Sequence, residues 1–419
     1  MGAKRRRTGL VATRKAAGYT QEGLAEALFV DRCTVNRWES GHHAPVPYLW
    51  PKLAKLLGVT REQLAELLAD NEHASALSDT VPTANQAVAL EDMKRRTLMK
   101  WGVAATAAAS LTSGAGTTVG LADVQRLQRA AARLHGLDQR HGGDALWQAA
   151  LVQAYDGTHL LDHGSYTETV GQLLLTATGQ LYICAGWLAL DAGQHQVARD
   201  SFGEALSMSR QANDPKIETR ALANLAYQST LLGKPREAQR YAYGAELAAT
   251  GKGAPKWLAA IPQLRLAVSS SRTGNARDAD RAVGQARRVL DRDSDTAGEE
   301  WAAFLSSSEL DGIEATCAIE LGRPTQAERL LEQTIASYEQ QFARNLAGWR
   351  VRLARARLDK GAVDGAAEAA HGVLDDLSGE VASWRVGAEL DVVAARLTAA
   401  PEVPEVADFL DRYRTVVHA

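Results

Sequence analysis

At 419 residues the chain exceeds the size of one ordinary core and implies two or three folding units, or a repeat array. With 46% apolar and 23% charged residues, the composition excludes disordered and fibrous classes. The net charge of −3 conceals a split: residues 1–70 carry eleven Lys/Arg against seven Asp/Glu, a net +4 that leaves −7 for the rest, so the N-terminal end is the one suited to a polyanion.

Residues 1–70 carry three short helical patterns, at about Gly9–Ala17, Thr20–Leu28 and Arg32–Ser40, and two more at about Tyr48–Leu57 and Arg61–Ala69. Thr20, Asp31 and Thr60 are N-cap types, Thr60 and Gln63 form a capping-box pair, and Gly41 stands where a glycine would end the third helix. Leu24, Leu28, Val35, Trp38, Leu53, Leu56 and Leu57 recur at helical spacing and close one small core. A tight helix pair whose second member is amphipathic and opens with polar residues is the helix-turn-helix arrangement.

The stretches TQEGLAEAL, RCTVNRWESG and PKLAKLLGVT resemble the XRE-type, phage-repressor-like family. The resemblance implies that Gln21 contacts the DNA backbone, that Ala25 permits close helix crossing, and that Val35 and Trp38 anchor the recognition helix. It implies Arg32, Cys33, Asn36 and Arg37 as outward base readers, with Thr34 near a phosphate. Arginine suits guanine because its fork bonds O6 and N7 together, and asparagine suits adenine in the same way. Lys4, Arg5, Arg6 and Arg7 form a basic arm that tracks phosphates or enters a minor groove, and Arg14 and Lys15 add backbone contacts. The sequence departs from the family pattern at Phe29, where a turn glycine is usual, and at Gly23, where an acidic capping residue is common.

Residues 71–93 read as a linker, followed by Lys94-Arg95-Arg96 and 21 uncharged residues, Trp101–Leu121. That pair of features resembles a twin-arginine signal or a membrane anchor, but few of the 21 favour insertion, and an Ala-rich helix in a linker over 71–121 is expected.

From Gly120 onward the pattern is helical, and glycine is followed five residues later by alanine at Gly193/Ala198, Gly233/Ala238, Gly274/Ala279, Gly322/Ala327 and Gly361/Ala366, with Gly164/Thr169 as a weaker first copy. Glycine would end one helix in a left-handed turn, and the small residue would let the next helix cross closely. With Phe202 and Ala205 after Ala198, the pattern resembles the tetratricopeptide repeat (TPR). The resemblance implies an inner groove with Gln180, Trp187, Arg220, Asn224, Tyr227 and Ser271 as ligand contacts. Cys184 and Cys317 read as small core residues.

The ten histidines show no metal spacing, and no phosphate-binding or nucleophile motif is present, so no enzyme activity, metal or cofactor is expected. The fold expected is all-α: a five-helix helix-turn-helix domain over 1–70 and an α-solenoid of TPR-like hairpins over 122–419. The function expected is a cytoplasmic, homodimeric transcriptional regulator that binds a double-stranded DNA operator and senses a peptide or small-molecule effector. Two alternatives remain open: a TPR scaffold recruiting another regulator as protein partner, and a regulator tethered to the membrane through residues 94–121.

Overall fold

Thr20 and Thr60 each satisfy backbone donors at a helix start, as their positions predict. The Thr20 hydroxyl accepts from the Gly23 N–H (2.9 Å), while Thr60 and Gln63 exchange the two capping-box bonds at 2.8 and 3.2 Å. α1 (Thr8–Ala16) precedes the first cap, α2 (Gln21–Leu28), α3 (Arg32–Glu39) and α4 (Trp50–Leu57) run between the two, and residues 63–64 and 67–68 are again helical. Their apolar faces meet in one core of Leu10, Leu24, Leu28, Val35, Trp38, Leu53, Leu57 and Leu64. The computed structural model describes residues 7–28, 32–39, 50–60, 63–64, 67–68, 118–141, 146–292, 299–302, 304–337, 343–378 and 383–417. The chain divides into two units, Met1–Val88 and Ala89–Ala419. The turn residues Phe29, Asp31 and Gly41, the arm residues Lys4, Arg5 and Arg6, and the segment 71–117 lie outside the described residues.

The second unit is a run of helical hairpins. After α5 (Leu121–His141) and α6 (Trp147–His163) come the pairs α7/α8 (Glu168–Asp191, His195–Ala212), α9/α10 (Pro215–Leu231, Pro235–Ala249) and α11/α12 (Ala260–Arg272, Ala276–Arg292). They are followed by α13/α14 (Ser307–Glu320, Pro324–Ser337), α15/α16 (Ala343–Lys360, Val363–Ser378) and α17/α18 (Trp384–Leu397, Pro404–Val417). Every described residue is helix, turn or loop apart from one isolated bridge, Thr118 to Ser165, so the fold is all-α.

The glycine–alanine signature is the joint of these hairpins. Gly193, Gly233, Gly274, Gly322 and Gly361 all have φ between 67° and 81°. In each copy the residue after the glycine donates its N–H to the carbonyl five residues back, as in Gln194 to Ala189 (2.7 Å) and Lys234 to Ser229 (2.8 Å), which closes a Schellman turn. The partner alanines Ala198, Ala238, Ala279, Ala327 and Ala366 are each 0% exposed, where a larger side chain would push the two helices apart. The expected first copy does not follow the rule. Gly164 has φ −81° and ψ 154°, and α7 starts instead from a Thr167 cap, whose hydroxyl accepts from the Val170 N–H. α6 therefore joins α7 by an extended link.

Two of these joints give a graded expectation. At Gly233 a Cβ would meet nothing within 4 Å, so Gly233→Ala should lose only the roughly 1–2 kcal/mol of the left-handed conformation. At Gly193 the added methyl would also lie 2.7 Å from the Trp384 ring, so Gly193→Ala should lower the thermal midpoint by clearly more, as read by calorimetry on the two variants.

The contact with Trp384 joins the first full repeat to the last. Asp191, 1% exposed at the end of α7, accepts from the Ser383 hydroxyl (2.9 Å) and from Arg385 Nε (3.2 Å). Arg344 at the start of α15 pairs with both oxygens of Asp138 on α5 and lies 3.6 Å from Asp191. His195 sets its ring edge-on to Trp384 at 5.3 Å. The first helices of the hairpins therefore surround a central space instead of lining an open groove.

Candidate nucleic-acid interface and ligand cavity

In the first unit, Val35 and Trp38 are 1% and 4% exposed, which fixes α3 to the core. Arg32 and Asn36 are exposed, and at i, i+4 spacing they share one outward face. Cys33, Thr34 and Arg37 lie on the same helix, with side chains outside the described residues.

The geometry of α3 depends on Glu39, which is 1% exposed. Its carboxylate accepts from Arg14 Nε and from the Gln21 side-chain amide, both at 2.6 Å. Arg14 also donates to the Tyr19 carbonyl at 2.6 Å, so one ion pair ties the end of α1, the start of α2 and the end of α3 together. Gln21 is thereby held against α3, within 3.4 Å of Asn36.

Two basic residues expected at the DNA backbone are structural instead. Arg14 is 6% exposed and committed to Glu39. Arg7 is 8% exposed; its guanidinium donates to the Trp38 carbonyl at 3.1 Å and its backbone N–H to that of Glu39 at 2.7 Å. It caps the end of α3 and is not part of a free arm, because the terminal carbonyls of a helix need donors. Lys15 is exposed, as a phosphate contact requires.

In the second unit, the hairpins' first helices and α5 enclose a cavity of about 750 Å³. Five of the six residues expected in the groove line it: Gln180 and Trp187 from α7, and Arg220, Asn224 and Tyr227 from α9. Ser271 does not. It is 1% exposed, and its hydroxyl donates to the Val268 carbonyl at 2.8 Å. On α11 the cavity face runs Ile261, Arg265, Val268, Arg272, one position out of phase with Ser271. Cys317 is buried, as expected of a core thiol, whereas Cys184 lines the cavity; burial pushes both thiols up to about 12, so neither is a reactive thiolate.

Beside the expected Arg220, six further arginines line the cavity: Arg265, Arg272, Arg344, Arg352, Arg355 and Arg385. Arg344 and Arg385 serve the closure around Asp191 and Asp138, Arg352 pairs with Glu389 (3.1 Å), and Arg355 (3.0 Å) and Arg272 (3.6 Å) share Glu320. Burial by itself would disfavour the Glu389 carboxylate, but Arg352 and Arg385 outweigh it and hold its pKa below the usual range. Aromatic rings form much of the remaining wall. Trp187 stacks on Tyr227 at 5.8 Å, and Trp301, Trp349 and Trp384 add further faces.

Among the described residues no cluster of His, Cys, Asp or Glu is arranged to hold a metal ion. One described helix, Glu168–Asp191, is long and apolar enough to cross a membrane, and 67% of its most apolar window is buried within the unit, as suits a core helix.

Residues 10–67 match the family described as a helix-turn-helix domain, the segment built around α1 to α4. No curated protein matches the chain. Among solved structures, the chain is similar to the crystal structure of the APC/C hetero-tetramer Cut9–Hcn1, at 13% identity and a TM-score of 0.33 over 97% of this chain and 88% of that one, a likeness too loose to bear on function.

Proposed function

We propose that the chain is a sequence-specific transcriptional regulator of the XRE type, cytoplasmic and homodimeric, whose solenoid senses an effector in its central cavity. The observation that carries the reading is α3: its apolar side is locked into a helix-turn-helix core while Arg32 and Asn36 stand exposed on the other. An arginine and an asparagine on one helix face are the side chains that form two-bond contacts with guanine and adenine in a major groove. Cys33, Thr34 and Arg37 extend this face in the proposal, Gln21 contacts the backbone beside it, and Lys4, Arg5 and Arg6 track phosphates. A motif of this kind reads two half-sites about one DNA turn apart, which requires a second copy of the chain.

The cavity's volume of about 750 Å³ falls within the ~300–1,000 Å³ of small-ligand sites and supports a small-molecule effector over an extended peptide or a scaffold's protein partner. Tethering through residues 94–121 has no such support, since residues 94–117 lie outside the described ones.

The test is selection of duplexes from a random library by the full chain. Enrichment of a paired half-site about ten base pairs apart, centre to centre, is the expected result. A pool that stays random after repeated rounds would contradict the proposal.

A further inference from the structure

Of the seven arginines that line the cavity, five are matched to carboxylates, and Arg220 and Arg265 are not. Neither makes an ion pair among the described residues; the carboxylates that act on them from a distance are Glu299 and Asp214 for Arg220, and Glu309 for Arg265. Both are surrounded by protein and open to the cavity. Burial disfavours their charge, lowering Arg265 and bringing Arg220 down to about 10, which leaves Arg220 cationic at neutral pH.

Their orientation is defined by aromatic rings. The Arg220 guanidinium lies 4.0 Å over the Trp301 ring, and that of Arg265 lies 4.7 Å over Tyr227. A cation over a ring face gains attraction without using its N–H donors, and those donors match a carboxylate or a phosphate with two parallel bonds. The buried Arg265 Nε has no hydrogen-bond partner. Arg265 on α11 reaches Tyr227 on α9, the helix that also carries Arg220, so the two stacked cations belong to adjacent repeats. Both side chains are half-buried, and a partly desolvated cation without a counter-ion carries a cost that an anion entering the cavity offsets.

We infer that the cavity binds a small organic anion, with a carboxylate or phosphate group held by the N–H groups of Arg220 and Arg265 and an apolar body against the cavity's apolar lining. This deepens the effector reading above and rests on it. Arg344 and Arg385 hold the ring of repeats closed, Arg272, Arg352 and Arg355 pair with carboxylates of neighbouring repeats, and the two unpaired arginines are left for the ligand.

The inference is tested by calorimetric titration of the full chain with 1-naphthoate, 1-naphthyl phosphate and the neutral 1-naphthamide. At least one anion should bind tenfold or more tightly than the amide, and the comparison between the two anions identifies the headgroup. The double variant Arg220→Met with Arg265→Met should lose that preference while binding the amide as before, and Arg281→Met, on the exposed surface of α12, should keep it. Arg265→Lys, which keeps the charge and loses the fork, should fall between and guards against a double variant that fails to fold. Equal binding of the amide and both anions, an unchanged preference in the folded double variant, or no binding of either anion at millimolar concentration would overturn the inference. Because these titrations contain no DNA, anion binding by a chain that selects no duplex would defeat the regulator reading alone. Duplex selection by a chain indifferent to anions would defeat this one alone.

Discussion

Asp191→Ala is expected to destabilise the repeat unit by about 3–5 kcal/mol, the usual loss when one partner of a buried ion pair is removed. The carboxylate is 1% exposed and is shared by Ser383, Arg385 and Arg344, so its removal leaves the buried Arg385 without its carboxylate at the contact between the first and last repeats, while Arg344 keeps Asp138. For a unit of this size the loss corresponds to a fall in thermal midpoint of roughly 6–15 °C. Scattering should report a larger radius of gyration, because the hairpins on either side of the contact keep their own joints while the ring opens. Asp191→Asn, which retains an acceptor for Ser383, should lose less. A midpoint and a radius equal to those of the parent chain would show that the closure is not held by this residue.

Glu39→Ala is the second large expectation. It removes the acceptor common to Arg14 and Gln21 and leaves Arg14, 6% exposed, without its partner. A loss of about 3–5 kcal/mol rivals the whole stability of a small helical unit. The first unit should therefore become protease-sensitive in the full chain while the repeats remain resistant, and DNA binding should disappear with it. Arg32→Ala, on the exposed face, should leave the unit folded and change only which duplex is preferred. Limited proteolysis followed by mass spectrometry separates the two. Equal protection of the first unit in Glu39→Ala and in the parent chain would contradict the structural role given to Glu39.

Much of this architecture is legible in the sequence because it is written in local chemistry. A glycine with φ near 70° and an alanine at a helix crossing leave a five-residue signature, and all five full copies fall at hairpin joints. The threonine caps are equally local. The weaker copy at Gly164 misled because a glycine without the small residue after it does not demand a left-handed turn.

Contacts between distant residues left no such trace. Arg14 and Arg7 read as phosphate contacts because a basic residue near a positive terminus is usually solvated, and nothing near them announces Glu39 as the partner of one and the end of α3 as the acceptor for the other. The cavity arginines were hidden for a related reason. In α15 the sequence ARNLAGWRVRLARARLDK places Arg344, Arg352 and Arg355 on one face and Arg350 and Arg357 on the opposite one, and only the closed ring decides which face is inward, the second pair bridging to Asp376 and Glu328 outside the lining. Asp138 and Arg344 are 206 positions apart, a separation at which periodicity says nothing. Ser271 failed by a single position of helical phase, which is all that separates a cavity face from a packed one.

The central claim, that the N-terminal unit reads a DNA sequence through the outward face of α3, is tested most directly by fluorescence anisotropy. The full chain is titrated with its selected duplex and with a scrambled duplex of equal length, across a range of salt concentration, beside Arg32→Ala and Arg37→Ala. The account predicts a preference of roughly 10³-fold or more for the selected duplex, affinities for both that fall with salt as counterions are released, and a preference reduced by tenfold or more in the α3 variants with little change toward the scrambled duplex. Equal affinity for the two duplexes, or α3 variants that keep the parent's preference, would contradict it.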